Sequence, residues 1–318
     1  MSLPGAASQL LEIALALAIA PLFAGWVAQC RAWLQNRSGP GIAQPYRLLH
    51  KLFHKDSVLA ERASPLFRAA PYVVFGCMTL ACGIVPTVST DLPLAPAADA
   101  IALVGLFALA RVFISLAAMD VGTAFGSLGA RREMLVGFLA EPALLMVFFT
   151  AALVTGSTSL TTIVTTLSSQ ELLIRPSLAL AAVALVMVAL AENARVPVDN
   201  PATHLELTMI HEALILECSG RHLALYEWAA ALKLFAYACI GIALFAPWGI
   251  ASAHAPSALL FALPALVGKL ALAGFLVALL ETLSAKMRVF RVPEYLGMAF
   301  LLAVIAMLVK ILLGAGPQ

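Results

Sequence analysis

Eight apolar stretches, each near the length a helix needs to cross a bilayer, constrain this chain more than any other feature. A hydrocarbon core about 30 Å thick takes roughly 20 residues of helix. Ser8–Ala28, Ala69–Thr90, Ala97–Met119, Met134–Gly156, Ser177–Asn193, Leu223–Ile250, Ala258–Thr282 and Glu294–Gly314 all approach that length. Only helices and closed barrels satisfy their own backbone hydrogen bonds in lipid, and the short alternating segments of a barrel are absent from the sequence. The expected fold is therefore all-α, a polytopic membrane helix bundle of about eight transmembrane helices. Composition agrees. The chain is 62% apolar and 11% charged, against about 45–50% and about 25% for a soluble domain, so the surplus apolar surface must face lipid. Pro142 and Pro264 fall inside spans and predict kinks relieved by neighbouring helices. The N-terminus lacks the basic n-region of a cleaved leader, so the first apolar stretch reads as a retained span. Residues 1–318 are expected to form one integral membrane domain.

The basic residues give the topology. Arg31, Arg37, Arg47, Lys51, Lys55, Arg62 and Arg68 follow the first span, Arg131 and Arg132 the third, Arg195 and Arg221 the fifth, and Lys286, Arg288 and Arg291 the seventh. The opposite loops hold Arg175 alone. The positive-inside rule places the rich side in the cytoplasm and both termini outside. Two of these loops, about residues 29–68 and 194–222, carry structure of their own. In the first, a turn at Arg37-Ser38-Gly39-Pro40-Gly41 precedes an amphipathic segment, Tyr46 to Asp56. There Leu48, Leu49, Leu52 and Phe53 share a face apart from Arg47, Lys51, His54 and Lys55; this is the pattern of an interfacial helix or a basic lipid anchor. In the second, Asn200 suits an N-cap, Pro201 a first helical position and Gly220 a stop. Glu206, Ala213 and Glu217 would share one face of that helix, His204 and His211 another.

Ionisable groups inside spans are costly and usually functional. Glu12, Arg111, Glu141, Glu192, Glu227, Lys233, Lys269 and Glu281 lie in spans or at their ends, with Arg111, Glu141, Lys233 and Lys269 deepest. Such groups can pass protons as their surroundings change; the plainer reading is static ion pairs that lock helices together. The five cysteines include no C-x-x-C pair, so iron–sulfur and zinc-ribbon frameworks lack ligands. His50 and His54 have a helical i, i+4 spacing, with no third metal ligand nearby, and His211-Glu212 lacks the second histidine of H-E-x-x-H. Neither a nucleophile elbow, nor a P-loop, nor a dinucleotide fingerprint is present. No catalytic, metal or cofactor residue is expected in this chain.

The loop motifs carry a resemblance. Ala191-Glu192-Asn193-Ala194-Arg195-Val196-Pro197-Val198-Asp199-Asn200-Pro201, then Glu206-Leu207, then Glu217-Cys218-Ser219-Gly220, resemble the family of respiratory complex I subunit 1. Arg37 to Gly41, Gln44-Pro45, Lys51-Leu52 and Lys55-Asp56 look like that family's first loop, and Arg131, Arg132 and Glu141 its third loop and fourth span. The Pro197–Gly220 stretch is somewhat longer than in complex I, and the first loop is short between Pro40 and Gln44. Both are similar to the hydrogenase branch, the membrane subunits of the hydrogenase-4 component C and formate hydrogenlyase subunit 4 type. Leu48 stands where both relatives usually carry an acid, and Cys218 replaces a tyrosine.

The resemblance implies a multi-pass subunit of a bacterial inner membrane, non-catalytic within an oxidoreductase complex. It would anchor the peripheral redox arm and couple it to proton or sodium translocation. Its partners would be an iron–sulfur small subunit and a nickel–iron large subunit on the cytoplasmic side, antiporter-like membrane subunits and the lipid bilayer, with no nucleic acid. The Fe–S and Ni–Fe cofactors would lie in those partners. Arg37, Gly39, Pro40, Gln44, Pro45, Lys51, Arg131, Arg132 and Arg195 would form docking loops around a quinone-like cavity. Glu141, Glu192, Asp199, Glu206, Glu217, Glu227 and Lys233 would form the proton or ion relay. Three other readings stay open: the quinone-site protein of NADH–quinone oxidoreductase, a stand-alone secondary ion transporter, and a passive anchor.

Overall fold

The computed structural model describes residues 3–60, 63–90, 94, 99–169, 175–199, 209–250 and 256–314. Arg62, Asn200, Pro201, His204 and Glu206 lie outside them. Among the described residues no strand forms, and the helices follow the apolar stretches. They are α1 (Leu3–Leu34), α2 (Gln44–Phe53), α3 (Pro65–Ile84), α4 (Ala100–Asp120), α5 (Ala124–Thr155), α6 (Leu160–Ser169), α7 (Pro176–Glu192), α8 (His211–Ile215), α9 (Gly220–Phe245), α10 (Pro256–Leu283) and α11 (Val292–Gly314). Seven are long and apolar enough to cross a membrane; α7, with 17 residues, is the short eighth. At 1.5 Å per residue it rises only about 25 Å, because Pro176 opens it and the charged Glu192 closes it.

Helix boundaries differ from expectation where charge dilutes the apolar pattern. α5 begins at Ala124 rather than Met134, capped by the Thr123 hydroxyl accepting from Gly126 N. Arg131, Arg132 and Glu133 are therefore helical, not loop. Gly220 does not stop a helix; it starts α9, at φ +53°, and its missing Cβ leaves room for the carbonyls of Lys55 and Asp56, 2.9 Å from where a Cβ would sit. The amphipathic α2 lies on protein rather than lipid. Leu49 and Leu52 bury against Ala224 of α9, and Phe53 meets Trp228 edge-on at 6.3 Å.

α9 is the centre of the bundle, touching α1, α2, α3 and α7, with 67% of its apolar window buried; α10 and α11 bury 22% of theirs and lie outside. α3, α4 and α5 pack in sequence order, α10 leans on α1, and α11 fills the angle between α5 and α7. In lipid, helices gain from close packing rather than from water exclusion. Accordingly α11 contributes small residues, Ala299, Ala303 and Ala306, all fully buried.

The loops bearing the basic residues meet at one end. Arg132 donates to Met209 O at 2.8 Å, Met287 N to Pro197 O at 2.9 Å, Asp120 accepts from Ser64 N at 2.8 Å, and the Ser219 hydroxyl bonds both N and O of Val58. At the other end Glu12 Oε1 accepts from Val88 N and Ser89 N at 2.9 and 2.8 Å, and Lys269 donates to Ala246 O and Trp248 O. Gly25 fixes how the first loop returns to α1. A Cβ there would lie 2.0 Å from Ile42 O, which is backbone and cannot swing aside. Gly25→Val is expected to push α2 off the bundle, at a cost of about 1–3 kcal/mol for the overpacking. Cysteine labelling at Leu49, buried in the parent, should become fast; slow labelling would mean that the loop accommodates the side chain.

Candidate functional site

The site is built on an arginine in the middle of an apolar helix. Arg111 sits halfway along α4 and is buried. A guanidinium presents five donors in a planar fork, and three carboxylates meet it. Arg111 Nε reaches Glu133 Oε1 at 3.4 Å, Nη1 bonds Glu141, and Nη2 bonds Glu192. Glu192 Oε2 also pairs with Lys233 Nζ of α9 at 2.8 Å.

Local sequence explains the arrangement. Glu133, Gly137 and Glu141 recur every four residues along α5 and so line one face. A Cβ at Gly137 would fall 2.1 Å from Arg111 Nη1, so the glycine lets the guanidinium lie across α5 between the two acids. Glu192 closes α7 as its last residue, where the helix dipole disfavours an anion; Arg111 and Lys233 offset that. Tyr237, one turn beyond Lys233, stacks on Phe107 at 5.1 Å and covers the cluster from the apolar side. Three carboxylates thus share two cations. The side chains of Glu192, Glu133 and Glu141 are 1%, 10% and 29% exposed, so access widens from α7 towards α5.

A cavity of about 260 Å³ leads from the basic end to this cluster. Its walls include Gln44, Pro45 and Leu48 of α2, Glu192 of α7, Arg195 of the loop after it, His211 of α8, and Glu227 and Lys233 of α9. A second space of about 40 Å³ adjoins it, bounded by Arg111, Glu133 and Tyr226.

The structure gathers some of the expected relay and disperses the rest. Glu141, Glu192 and Lys233 join around Arg111, and Glu227 faces the cavity. Asp199 belongs to a separate junction: its carboxylate pairs with Lys286 at 3.4 Å and accepts from Ile210 N and His211 N at 3.2 and 3.4 Å. Glu217 is exposed beyond α8, and Glu206 lies outside the described residues. Beside Glu217, burial first and that acid second push the Cys218 thiol up to about 12. Of the residues expected in docking loops, Arg37, Pro40, Gln44, Lys51 and Arg131 are exposed, while Gly39, Pro45, Arg132 and Arg195 are half-buried. Gln29 accepts from Gly41 N at 3.0 Å and packs on Gly39. The His50 and His54 rings lie 4.2 Å apart, and among the described residues no group of three potential metal ligands gathers.

Sequence reasoning left Glu133 out of the site and gave Glu281 no partners. Glu281, 1% exposed, accepts from Arg195 at 3.0 Å and from Arg31 at 3.3 Å, joining α10, the α7–α8 loop and α1. The i, i+4 recurrence of Glu133, Gly137 and Glu141 was the available signal for the first; nothing local marks the partners of the second.

Residues 8–313 match the NADH dehydrogenase family. The chain is 33% identical over 296 residues to formate hydrogenlyase subunit 4 of Escherichia coli K12, covering 92% of this chain and 95% of that protein. It is 33% identical over 300 residues to hydrogenase-4 component C of the same organism, covering 93% of each. Its fold is similar to a chain of the archaeal membrane-bound sulfane sulfur reductase, a respiratory membrane complex. The TM-score is 0.83 at 21% identity, covering 95% of this chain and 98% of the other.

Proposed function

Because this chain belongs to the NADH dehydrogenase family, we propose that it is the membrane anchor and ion-coupling subunit of a multi-subunit hydrogenase of the formate hydrogenlyase type. It is a multi-pass inner-membrane protein whose basic end faces the cytoplasm and docks an iron–sulfur small subunit and a nickel–iron large subunit. Antiporter-like membrane subunits flank it. The observation that carries the reading is the Arg111 cluster: three carboxylates share two cations at the end of a cavity that opens toward the docking loops.

The physics is a charge balance. In a low-dielectric interior an excess anion is costly, and taking up one proton removes it. The Arg111 cluster therefore holds one proton more or less according to the charge around it. A redox change in the docked arm moves the loops that carry Asp199 and Glu217 and so biases that proton. Glu192 receives it from the cavity side, and Glu141, the most exposed of the three, passes it laterally to a neighbouring subunit. Asp199 and Glu206 act in the loop rather than in the cluster.

Quinone chemistry is the second reading. The space behind Gln44 and Pro45, about 260 Å³, is close to the range of about 300–1,000 Å³ usual for small-molecule sites, and an apolar space of about 410 Å³ bordered by Phe23, Tyr237 and Trp248 falls within it.

Glu192→Gln and Glu141→Gln in the assembled complex test the proposal, in inverted vesicles with proton and sodium flux read alongside hydrogen turnover. Turnover is expected to persist while ion flux falls about a hundredfold, the low end of what a positioned proton carrier contributes. Unchanged flux in both variants would end the relay and leave an ion-paired tether.

A further inference from the structure

The two cavities beside the Arg111 cluster share a wall made of three residues, His211, Ala230 and Lys233. Ala230 carries no exchangeable side-chain proton. Lys233 is a cation paired with Glu192 at 2.8 Å, and an ammonium accepts nothing. His211 is the wall residue able to accept on one atom and donate from another, because the two nitrogens of a neutral imidazole divide those roles. The larger cavity presents Glu227 of α9 to His211, and Glu212 of α8 lies within electrostatic range of the same carboxyl. The smaller cavity presents Glu133 of α5 and Arg111 of α4. At about 40 Å³ it has room for about one water. Tyr226 also lines it and is buried, with no partner for its hydroxyl among the described residues.

We propose that His211 is a proton shuttle between Glu227 and Glu133, opening a second route into the Arg111 cluster beside the direct one at Glu192. This rests on the ion-coupling function proposed above. In the step, the Glu227 carboxyl loses its proton to one ring nitrogen, and the proton on the other nitrogen leaves toward Glu133 through the smaller space. The ring ends neutral, as its other tautomer, and no oxidant or further reactant is consumed. The geometry also places the shuttle under control of the docking loops. His211 N is held by the Asp199 carboxylate at 3.4 Å, as is Ile210 N at 3.2 Å, and that carboxylate pairs with Lys286 between α10 and α11. A shift of either loop moves the imidazole along the wall.

The test is His211→Gln in the full complex, with His211→Ala plus added imidazole as the second measurement. The shuttle predicts that His211→Gln retains hydrogen turnover but loses about tenfold or more of the ions moved per electron pair, and that imidazole restores flux to His211→Ala. Glu192→Gln run in parallel separates the claims. If it uncouples while His211→Gln pumps normally, the ion-coupling function stands and the shuttle is wrong; if neither uncouples, both fall. Uncoupling by His211→Gln without imidazole rescue of His211→Ala overturns the shuttle, as does failure of both His211 variants to assemble, since the residue would then be structural.

Discussion

Arg111→Met is expected to uncouple the complex and to destabilise this subunit by about 3–5 kcal/mol, the usual cost of stripping one partner from a buried ionic group. The side-chain volume is nearly kept, so the loss is electrostatic. Glu133, Glu141 and Glu192 would retain Lys233 alone, whose ammonium pairs with Glu192. The carboxylates of Glu133 and Glu141 would then stand in a low-dielectric interior without a counter-ion and would protonate or part the helices. Ion flux and thermal unfolding of the purified complex read the two effects. Adding Glu133→Gln to Arg111→Met removes one of the stranded anions with the cation, so the double variant should regain part of the stability without regaining flux. A single variant as stable as the parent would show that Arg111 packs as a hydrocarbon stem, and the charge-balance account would go with it.

Glu281→Leu should have the second-largest effect and acts at the basic end. It leaves Arg31 and Arg195 facing each other without the carboxylate that now joins them. Both arginines reach solvent in part, with side chains 30% and 18% exposed, so the cost should be nearer about 2–3 kcal/mol than the full buried-pair value. The larger consequence is mechanical. α10 touches the rest of the bundle mainly through α1, where the Trp26 indole donates to Ala271 O at 2.9 Å, and less through α9, just past which Lys269 bonds Ala246 O and Trp248 O. Loosening its basic end should expose the Ser284–Arg288 stretch to protease added on the cytoplasmic side of vesicles and release the peripheral arm more readily in detergent. Resistance equal to the parent would mean that Glu281 is dispensable for docking, and cleavage only from the opposite side would reverse the proposed topology.

Legibility followed the range of the forces involved. The apolar runs stood out because each must satisfy the bilayer over its whole length, a requirement that every residue of the run advertises. The gathering of Arg37, Lys51, Arg132, Arg195 and Lys286 at one end was legible for the same reason: the charge bias acts loop by loop. The start of α5 was hidden because Arg131, Arg132 and Glu133 resemble a loop when hydropathy alone is weighed. In the fold Arg132 caps Met209 O and Glu133 turns in to Arg111, so three charged residues continue the helix beyond its apolar part. The role of Gly220 was hidden because a glycine that ends one helix and a glycine that opens another look alike locally. What separates them is the passage of Lys55 and Asp56, more than 160 residues earlier in the chain.

By itself, then, the sequence determined that the chain spans a membrane as helices, which loops share a side, and which family its loop motifs resemble. Each of those depends on interactions with solvent, lipid or near neighbours along the chain. The tertiary structure alone decided that Glu133 joins Glu141 and Glu192 on one guanidinium, that Glu281 holds two arginines, and that His211 stands between two cavities. Those contacts bridge residues 22 to 250 positions apart, and a contact between distant residues is settled only when the helices that carry them pack.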